Sequence, residues 1–433
     1  MAEPHACIAT VLHPVDPDSV DGKCSVHERL ICIPSKDGKG GGTTLLTLEN
    51  IGDLRRDPDC CGYNNLLLSL DEGVRELAEL RKAGCDVVLD CTTVDDGRDP
   101  ESLTEMATRT GLHVLMGASL AQVHSTAVPN TPESIKKIGK GLQNQLILGV
   151  EIATPTLSAT FGSSPGTRRV QAGFIAATIS GGVDSADTSE EKSTMTSSAG
   201  LQANEVVMLG GSAWAQRATG APIVISLPPF KHLLAQQALD CVTLAGALPS
   251  KVVLAGIHGG YSQPLGDHVV LLKAGATLCF DCFGRTEWFS GPNYFPSDEE
   301  TAVRVVELAR LGYGSQLLVS QGVSRRTHLT RYGGFGYGHA LRTVPSRLER
   351  LGMSGENITA VLRGNALRLF AWYYPPPPSA IPKNYMPCSW CNKPFEPVEG
   401  EYFHKFDFVY CGIRCLRQHR NGGFKYIIDE EEP

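Results

Sequence analysis

The feature that most constrains this chain is the regular alternation of short apolar strands with helical segments. A first strand carries His27, and seven further strands are predicted at 86–91, 113–117, 146–152, 223–227, 252–257, 277–283 and 316–320. Helical periodicity lies between them, at 69–82, 101–109, 132–140, 232–245, 265–274 and 300–311. This alternation predicts a parallel α/β fold. Eight such units suit a (β/α)8 TIM barrel, although a doubly wound open sheet stays possible.

Two composition changes divide the 433 residues. Residues 155–202 are rich in Ser, Thr, Ala and Gly, which predicts a disordered insertion within a barrel spanning 1–372. A run of prolines from Pro375 to Pro378 predicts a stiff linker over 373–386, because proline cannot continue a helix. The linker is followed by a small cysteine-containing module at 387–424 and an acidic tail at 425–433.

The overall charge excludes some classes of partner. A formal net charge of −7 gives no electrostatic basis for binding nucleic acid or an anionic membrane. No apolar run is long enough to span a bilayer, and the N-terminal residues lack the pattern of a signal peptide. Fourteen cysteines without a secretory signal indicate reduced thiols, so we expect a cytoplasmic protein.

Several motifs resemble one enzyme family. The loop from Thr92 to Pro100 (TTVDDGRDP) and the stretch from Thr327 to His339 (THLTRYGGFGYGH) are the most specific, and 220–222 and 365–370 add to them. Together they resemble the phosphotriesterase-related branch of the amidohydrolase superfamily over roughly residues 10–372. The resemblance implies a TIM barrel whose active site lies at the C-terminal ends of the strands. It also implies two divalent metals that activate a bridging water for ester, lactone or amide hydrolysis.

The metal ligands that the resemblance implies are mostly absent. His27 matches the first histidine of an H-x-H pair on strand 1, but the second position holds Arg29. Glu151 matches the bridging carboxylate of strand 4. The two histidines of strands 5 and 6 and the aspartate of strand 8 are replaced by Ser226, Gly256 and Gly322. With four of six ligands missing, we expect a vestigial site without a catalytic metal.

Arg29 suggests a replacement for the lost metals. A permanently charged guanidinium could form an ion pair with Glu151 across the barrel mouth, or it could turn out to solvent. Other residues near strand ends could in principle form a different catalytic set: His258, Asp267, His268, Asp281, Cys282 and His328. Isolated groups of this kind are more often structural than catalytic, so no catalytic residue is assigned.

The C-terminal module contains two cysteine pairs. Cys388 and Cys391 form a C-x2-C knuckle, and Cys411 and Cys415 form the second pair. Four thiolates close a tetrahedral zinc ion and leave no open position for chemistry, so a structural zinc site is predicted. His404 and His419 could each replace one cysteine. The module resembles small treble-clef fingers of the TRASH and FCS types, which mediate protein contacts.

These observations favour a pseudoenzyme that acts as a protein-interaction scaffold and carries a structural zinc finger. The alternative is a divergent hydrolase of a small ester, lactone or amide, with or without a metal. A third possibility keeps the barrel mouth as a small-molecule pocket without turnover. The sequence does not identify the protein partner.

Overall fold

The computed structural model describes most of the barrel and parts of the C-terminal module. The described residues are 6–30, 46–56, 58, 64, 66, 68–121, 128–153, 167–181, 200–229, 231, 233–257, 263–285, 295–373, 386–390, 394–395, 403–405 and 408–421. They divide into two compact units, one formed by Ala6–Tyr373 and one that includes Tyr374–Pro433.

Eight parallel strands form the centre of the larger unit. In chain order they are β1 Lys23–Glu28, β2 Cys85–Asp90, β3 His113–Ala118, β4 Phe174–Thr178, β5 Ile223–Ser226, β6 Val252–Ala255, β7 Thr277–Phe280 and β8 Leu317–Val319. Each strand is hydrogen-bonded to the next along the chain, from β1 through to β8. Consecutive parallel order in an eight-stranded sheet is the arrangement of a TIM barrel and excludes a doubly wound sheet, whose strand order reverses.

Side-chain contacts complete the barrel between β1 and β8, where the strand ladder is interrupted. The Glu28 carboxylate accepts hydrogen bonds from the Ser320 hydroxyl at 2.8 Å and from the backbone N–H groups of Gln321 and Val323 at 2.9 and 2.8 Å. The Ser25 hydroxyl donates to the same carboxylate at 2.7 Å. A buried acid therefore joins the first strand to the last.

Side chains along each strand point alternately into two hydrophobic cores. Inward residues such as Val26, Leu89, Val224, Cys279 and Leu318 form one cluster inside the barrel. Their neighbours along the strands belong to a second cluster, which packs under the surrounding helices. A period of two along each strand thus fills both the barrel interior and the strand–helix layer.

Helices surround the sheet. They are α1 Ile51–Arg56, α2 Leu70–Lys82, α3 Pro100–Thr110, α4 Pro132–Ile147, α5 Ala203–Thr219, α6 Leu233–Leu244, α7 Leu265–Lys273, α8 Asp298–Leu308, α9 His339–Arg350, α10 Gly355–Thr359 and α11 Asn365–Phe370. Sequence signals fix several starts: Ser69 with Glu72, and Ser297 with Glu300, form capping boxes at α2 and α8. Helix α1 lies within 34–65, where the glycine-rich composition predicts only a loop.

The predicted fourth strand is wrong. Residues 146–152 do not form a barrel strand, because α4 continues to Ile147 and buries Leu142 and Leu146 on one face. The following segment, Val150–Ala153, pairs antiparallel with Thr167–Val170 outside the eight-stranded sheet. The fourth barrel strand is β4, which pairs with β3 and β5.

The boundaries of the predicted insertion at 155–202 are therefore wrong as well. Its centre contains Thr167–Val170 and β4, whose apolar residues Phe174 and Ile175 are fully buried. The Ser- and Thr-rich composition on either side concealed this short apolar run. Within this range, residues 155–166 and 182–199 lie outside the described residues.

The smaller unit has two short hairpins and a helix. Met386–Pro387 pairs with Pro394–Phe395, and Phe403–Lys405 pairs with Phe408–Tyr410, all antiparallel. Helix α12, Ile413–Asn421, follows the second hairpin. The linker at 374–385 and the acidic tail lie outside the described residues. In the part of the chain that the structure describes, every helix is too short or too polar to cross a membrane.

Candidate active site at the barrel mouth

A pocket of about 320 Å³ lies at the C-terminal ends of the barrel strands. Its wall includes His27 of β1, Thr178 of β4, Ser226 of β5, Asp281 after β7 and Gly322 after β8. This end of a TIM barrel carries the active site in characterised enzymes. The pocket therefore lies where the sequence resemblance predicts a site.

His27 contacts two polar side chains from other strand ends, one at the end of β5 and one after β7. Its Nε2 atom lies 2.7 Å from the Ser226 hydroxyl. Its Nδ1 atom lies 2.5 Å from Oδ2 of Asp281, which is an ion-pair distance, although the carboxylate oxygen lies away from the direction of the N–H bond. The other oxygen of Asp281 accepts a hydrogen bond from the backbone N–H of Gly256 at 3.1 Å. Three strand ends thus converge on one imidazole.

The hypothesis of an Arg29–Glu151 ion pair is wrong. Arg29 lies at the pocket, with its guanidinium 3.6 Å from the carboxylate of Asp96. Glu151 lies on the short antiparallel pair outside the barrel and contacts Arg169 at 3.1 Å. The Glu151 side chain is more than half exposed. The error follows from the incorrect fourth strand, because only a barrel strand would have pointed Glu151 into the mouth.

The described residues do not fit a two-metal centre. Gly256 and Gly322 both have positive φ angles, +72° and +65°. A Cβ atom at Gly256 would overlap the backbone oxygen of Leu227, and one at Gly322 would overlap that of Asp281. The backbone at these two ligand positions therefore excludes any side chain, and Ser226 is a poor ligand.

The bridging carboxylate is missing too. The C-terminal end of β4 carries Ala176, Ala177 and Thr178, and none of these supplies an acidic side chain. Five of the six ligand positions thus differ from the pattern that the resemblance implies, and His27 is the one that agrees. Within the described residues, the one group of three or more potential metal ligands with converging atoms lies elsewhere, in the smaller unit.

The other candidate catalytic residues that the structure describes lie in surroundings typical of structural residues. Cys282 is fully buried next to the Thr301 hydroxyl, and burial raises the pKa of its thiol to about 12. His268 is buried on α7, where its ring stacks on Phe280. Asp267 lies on the same outer helix. His328 accepts a hydrogen bond from a backbone N–H at 3.2 Å, and His258 lies outside the described residues.

Two buried acids lie beside the mouth. Burial raises the pKa of Glu28, and the four hydrogen bonds that it accepts oppose this effect. Burial also raises the pKa of Asp90, at the end of β2, to about 6. One oxygen of Asp90 accepts from Leu30 and Thr92, whereas the other is buried without a hydrogen-bond partner among the described residues. Burial therefore makes the Asp90 carboxyl harder to ionise in the folded chain than in water.

The ionic groups on the pocket wall are mostly cationic. Arg29, Arg285 and Arg325 all line it. Arg285 donates to the backbone oxygen of Gly322 at 2.7 Å and lies over the Phe295 ring, which holds its guanidinium in place. Among the described residues of the wall, the accompanying carboxylates are Asp281, next to His27, and the fully buried Glu28.

The smaller unit gathers three cysteines. The sulfur atoms of Cys388, Cys411 and Cys415 all lie within 4.8 Å of one another, with the last two 3.6 Å apart. Zinc–sulfur bonds of about 2.3 Å in a tetrahedron place neighbouring sulfurs about 3.8 Å apart, so the cluster fits zinc. The fourth predicted ligand, Cys391, lies outside the described residues.

His419 is not with these thiols. Its ring is fully buried between Trp390, Phe408 and Tyr410, and its Nδ1 atom lies 3.0 Å from the Tyr410 hydroxyl. His419 therefore packs in the small core of the unit and does not replace a cysteine. Nothing is described of the His404 side chain.

Two family models match the chain. The model described as the phosphotriesterase family matches residues 171–370, and the Vms1-associating treble clef domain matches residues 383–426. The resemblance found in the sequence motifs is therefore confirmed: the larger unit is a phosphotriesterase-like barrel, and a treble clef domain follows it.

Known proteins are similar to the barrel along most of their length. An N-acetyltaurine hydrolase of Tetraodon nigroviridis is 26% identical over 371 residues, which cover 83% of this chain and 96% of that protein. One of Salmo salar is 25% identical, with 83% and 97% covered. A resiniferatoxin-binding protein of Rhodobacter sphaeroides has a TM-score of 0.65 at 25% identity and covers 86% of this chain and 97% of its own.

The role of Asp281 at the mouth was missed at the level of sequence, where it is one of six isolated candidates. A signal for it exists. Asp281 follows inward Cys279 by two residues, as Ser226 follows inward Val224, so strand alternation points both side chains into the top of the barrel. Both side chains meet His27 only because the sheet curves into a barrel. This curvature cannot be predicted from a local sequence pattern.

Proposed function

We propose that the barrel hydrolyses a small ester, lactone or amide at its mouth, without the two-metal centre that the family resemblance implies. The observation that carries the proposal is the pocket of about 320 Å³, which lies at the catalytic end of the barrel with His27, Ser226 and Asp281 converging in its wall. A scaffold protein without catalysis would not need this polar convergence. The similarity to N-acetyltaurine hydrolases supports hydrolysis of an amide.

The charge of the pocket favours one group of substrates. The three arginines of its wall exceed its carboxylates, so we propose a substrate with an anionic substituent. N-acetyltaurine, with its sulfonate, is a member of this group. A cavity of this size lies at the lower end of the range of about 300–1,000 Å³ typical of ligand sites, which limits the substrate to a small molecule.

A substrate panel with and without a chelator tests the proposal. The full chain is incubated with small esters, lactones and amides, each as an anionic and a neutral member of similar size. We expect hydrolysis that a strong chelator leaves unchanged, with the anionic member preferred. A Cys388→Ser variant serves as the control, because loss of zinc from the treble clef domain must not affect the rate. Absence of hydrolysis for the whole panel, or its loss with the chelator, would contradict the proposal.

We also propose that the treble clef domain holds one zinc ion through Cys388, Cys391, Cys411 and Cys415 and docks a protein partner. The three converging thiols support the metal site, and the small aromatic core around His419 supports a domain that needs the metal to fold. Purification of partners with the full chain and with the Cys411→Ser variant tests this role. We expect partners that the variant loses; identical partners would contradict it.

A further inference from the structure

We infer that Ser226, His27 and Asp281 form a catalytic serine–histidine–aspartate unit, so that hydrolysis proceeds through an acyl-serine intermediate. This inference rests on the proposed function and adds a mechanism to it. It assigns a nucleophile to a barrel whose relatives are expected to use metal-activated water.

The contacts have the order that such a unit requires. The hydroxyl of Ser226 lies 2.7 Å from Nε2 of His27, and Nδ1 of the same ring lies 2.5 Å from Oδ2 of Asp281. Nucleophile, base and orienting carboxylate therefore follow one another within hydrogen-bond reach. The three residues come from three different strand ends, as in other catalytic sites of this fold.

The aspartate is held in place and is largely shielded from water. Its side chain is 5% exposed, and its second oxygen accepts from the backbone N–H of Gly256 at 3.1 Å. A carboxylate next to Nδ1 favours the tautomer that carries its proton there. The Nε2 atom is then the acceptor for the hydroxyl proton of Ser226.

The Asp281–His27 contact is not yet a well-aligned hydrogen bond. The carboxylate oxygen is close to Nδ1 but lies away from the N–H direction. Catalytic hydrogen bonds are frequently misaligned in ligand-free enzymes and become aligned when substrate binds.

Competing nucleophiles at the mouth are engaged elsewhere. The Ser180 hydroxyl donates to Glu205 at 3.0 Å, and the Ser324 hydroxyl accepts from Arg285 at 3.4 Å. Burial raises the pKa of Cys282 to about 12, so its thiolate is scarce at neutral pH. Ser226 is the pocket serine whose hydroxyl contacts an imidazole.

The chemical steps balance with water as the second reactant. The Ser226 oxygen attacks the carbonyl carbon while its proton passes to His27, and the carbonyl electron pair moves to oxygen. The pair then returns, the bond to the leaving group breaks, and His27 protonates the departing amine or alcohol. Water attacks the acyl-serine and gives a proton to His27. The acid is released as that proton returns to the Ser226 oxygen.

A serine-reactive fluorophosphonate probe tests the inference independently of any substrate. The full chain is treated with the probe, and the modified peptide is identified by mass spectrometry. We expect modification of Ser226, none in Ser226→Ala, and at least a 100-fold slower reaction in His27→Asn. Ser346→Ala is the matched control, because it removes an exposed serine of α9, outside the pocket, and should leave the modification at Ser226 intact.

Rates separate this inference from the proposed function. We expect Ser226→Ala to lower kcat about 1,000-fold, and Asp281→Asn to lower it with a changed pH profile. Hydrolysis that persists in Ser226→Ala, with no modification of Ser226 in the wild type, would overturn the serine mechanism and leave the proposed function standing. Modification of Ser226 without hydrolysis of any panel member would overturn the proposed function and leave the serine–histidine–aspartate unit standing. Absence of both would overturn both.

Discussion

Two glycines show how single residues decide the chemistry of the mouth. Gly256 and Gly322 occupy positions where relatives of the family are expected to carry metal ligands. Both have positive φ angles, and both face a neighbouring backbone oxygen at a distance that leaves no room for a Cβ atom. The backbone conformation at these two positions, and not only the absence of a side chain, is therefore incompatible with a metal ligand. Restoring the ligands by substitution should fail.

This leads to a prediction for Gly256→His and Gly322→Asp. Each substitution forces a side chain into a left-handed backbone and into steric overlap, so we expect each to lower the free energy of unfolding by about 3 kcal/mol or more. Urea unfolding measures the effect, and metal analysis should show no added ion. Gly364→Ala is the control: it lies in helical backbone with open space where the added methyl group would sit, so it should be neutral or slightly stabilising.

A second prediction at the scale of single residues concerns the pH dependence of stability that the buried carboxyl group of Asp90 causes. Burial raises the pKa of Asp90 from 3.8 to about 6. The folded chain therefore holds this proton more tightly than the unfolded chain, and the contribution to stability is present at low pH and lost as the pH rises through about 6. Between about pH 4.5 and pH 7.5 the loss amounts to about 2 kcal/mol.

Asp90→Asn should remove this dependence. We expect the difference in free energy of unfolding between variant and wild type to change by about 2 kcal/mol across that pH range, in favour of the variant at high pH. Urea unfolding at both pH values checks it. Asp53→Asn, at a side chain that is 69% exposed, should follow the wild type at both. Parallel curves for Asp90→Asn and the wild type would contradict the prediction.

At the scale of elements, the first and last barrel strands meet through a side chain. Glu28 accepts four hydrogen bonds, two of them from the backbone after β8. Since this carboxylate substitutes for part of the strand ladder, the position of Asp281 and Ser226 around His27 depends on it indirectly. His27 is the residue before Glu28, and its backbone N–H donates to Ser320, which also contacts Glu28.

Glu28→Ala should weaken the β1–β8 junction. The substitution leaves buried N–H and hydroxyl donors without an acceptor, which costs on the order of 3–5 kcal/mol in total. Urea unfolding measures the loss, and hydrogen exchange at Gln321 and Val323 should accelerate more than exchange in β3. Glu105→Ala, at an exposed position of α3, serves as the comparison. A loss below about 1 kcal/mol would contradict a stabilising role of Glu28 at this junction.

At the scale of the whole molecule, we expect a metal ion in the smaller unit and none in the barrel. The thiol cluster predicts one zinc ion per chain, in the smaller unit. We expect Cys388→Ser to lower the zinc content from one per chain to well below one, while His27→Ala leaves it unchanged. Elemental analysis of the purified full chain measures both. Cys241→Ser, at a thiol on α6 of the barrel, is the matched cysteine control and should keep the zinc.

The sequence predicted the larger architecture correctly. Alternating apolar strands and helices predicted the barrel, because burial on both sides of a parallel sheet gives each strand an apolar run. Helical periodicity predicted segments at 69–82 and 300–311, where the structure has α2 at Leu70–Lys82 and α8 at Asp298–Leu308. The motifs predicted the resemblance to the phosphotriesterase family, and the cysteine spacing predicted that Cys388, Cys411 and Cys415 lie together. Each of these signals depends on residues that lie close together in the sequence, so it can be recognised without the tertiary structure.

From motif positions alone, the sequence also predicted that four metal ligands are replaced, by Arg29, Ser226, Gly256 and Gly322. Only the tertiary structure decided which side chains meet at the mouth instead. His27, Ser226 and Asp281 are separated by 199 and 55 positions along the chain, and their convergence requires a closed sheet that turns three strand ends toward one axis. The error at Glu151 has the same cause: a side chain reaches the mouth only if its strand belongs to that sheet.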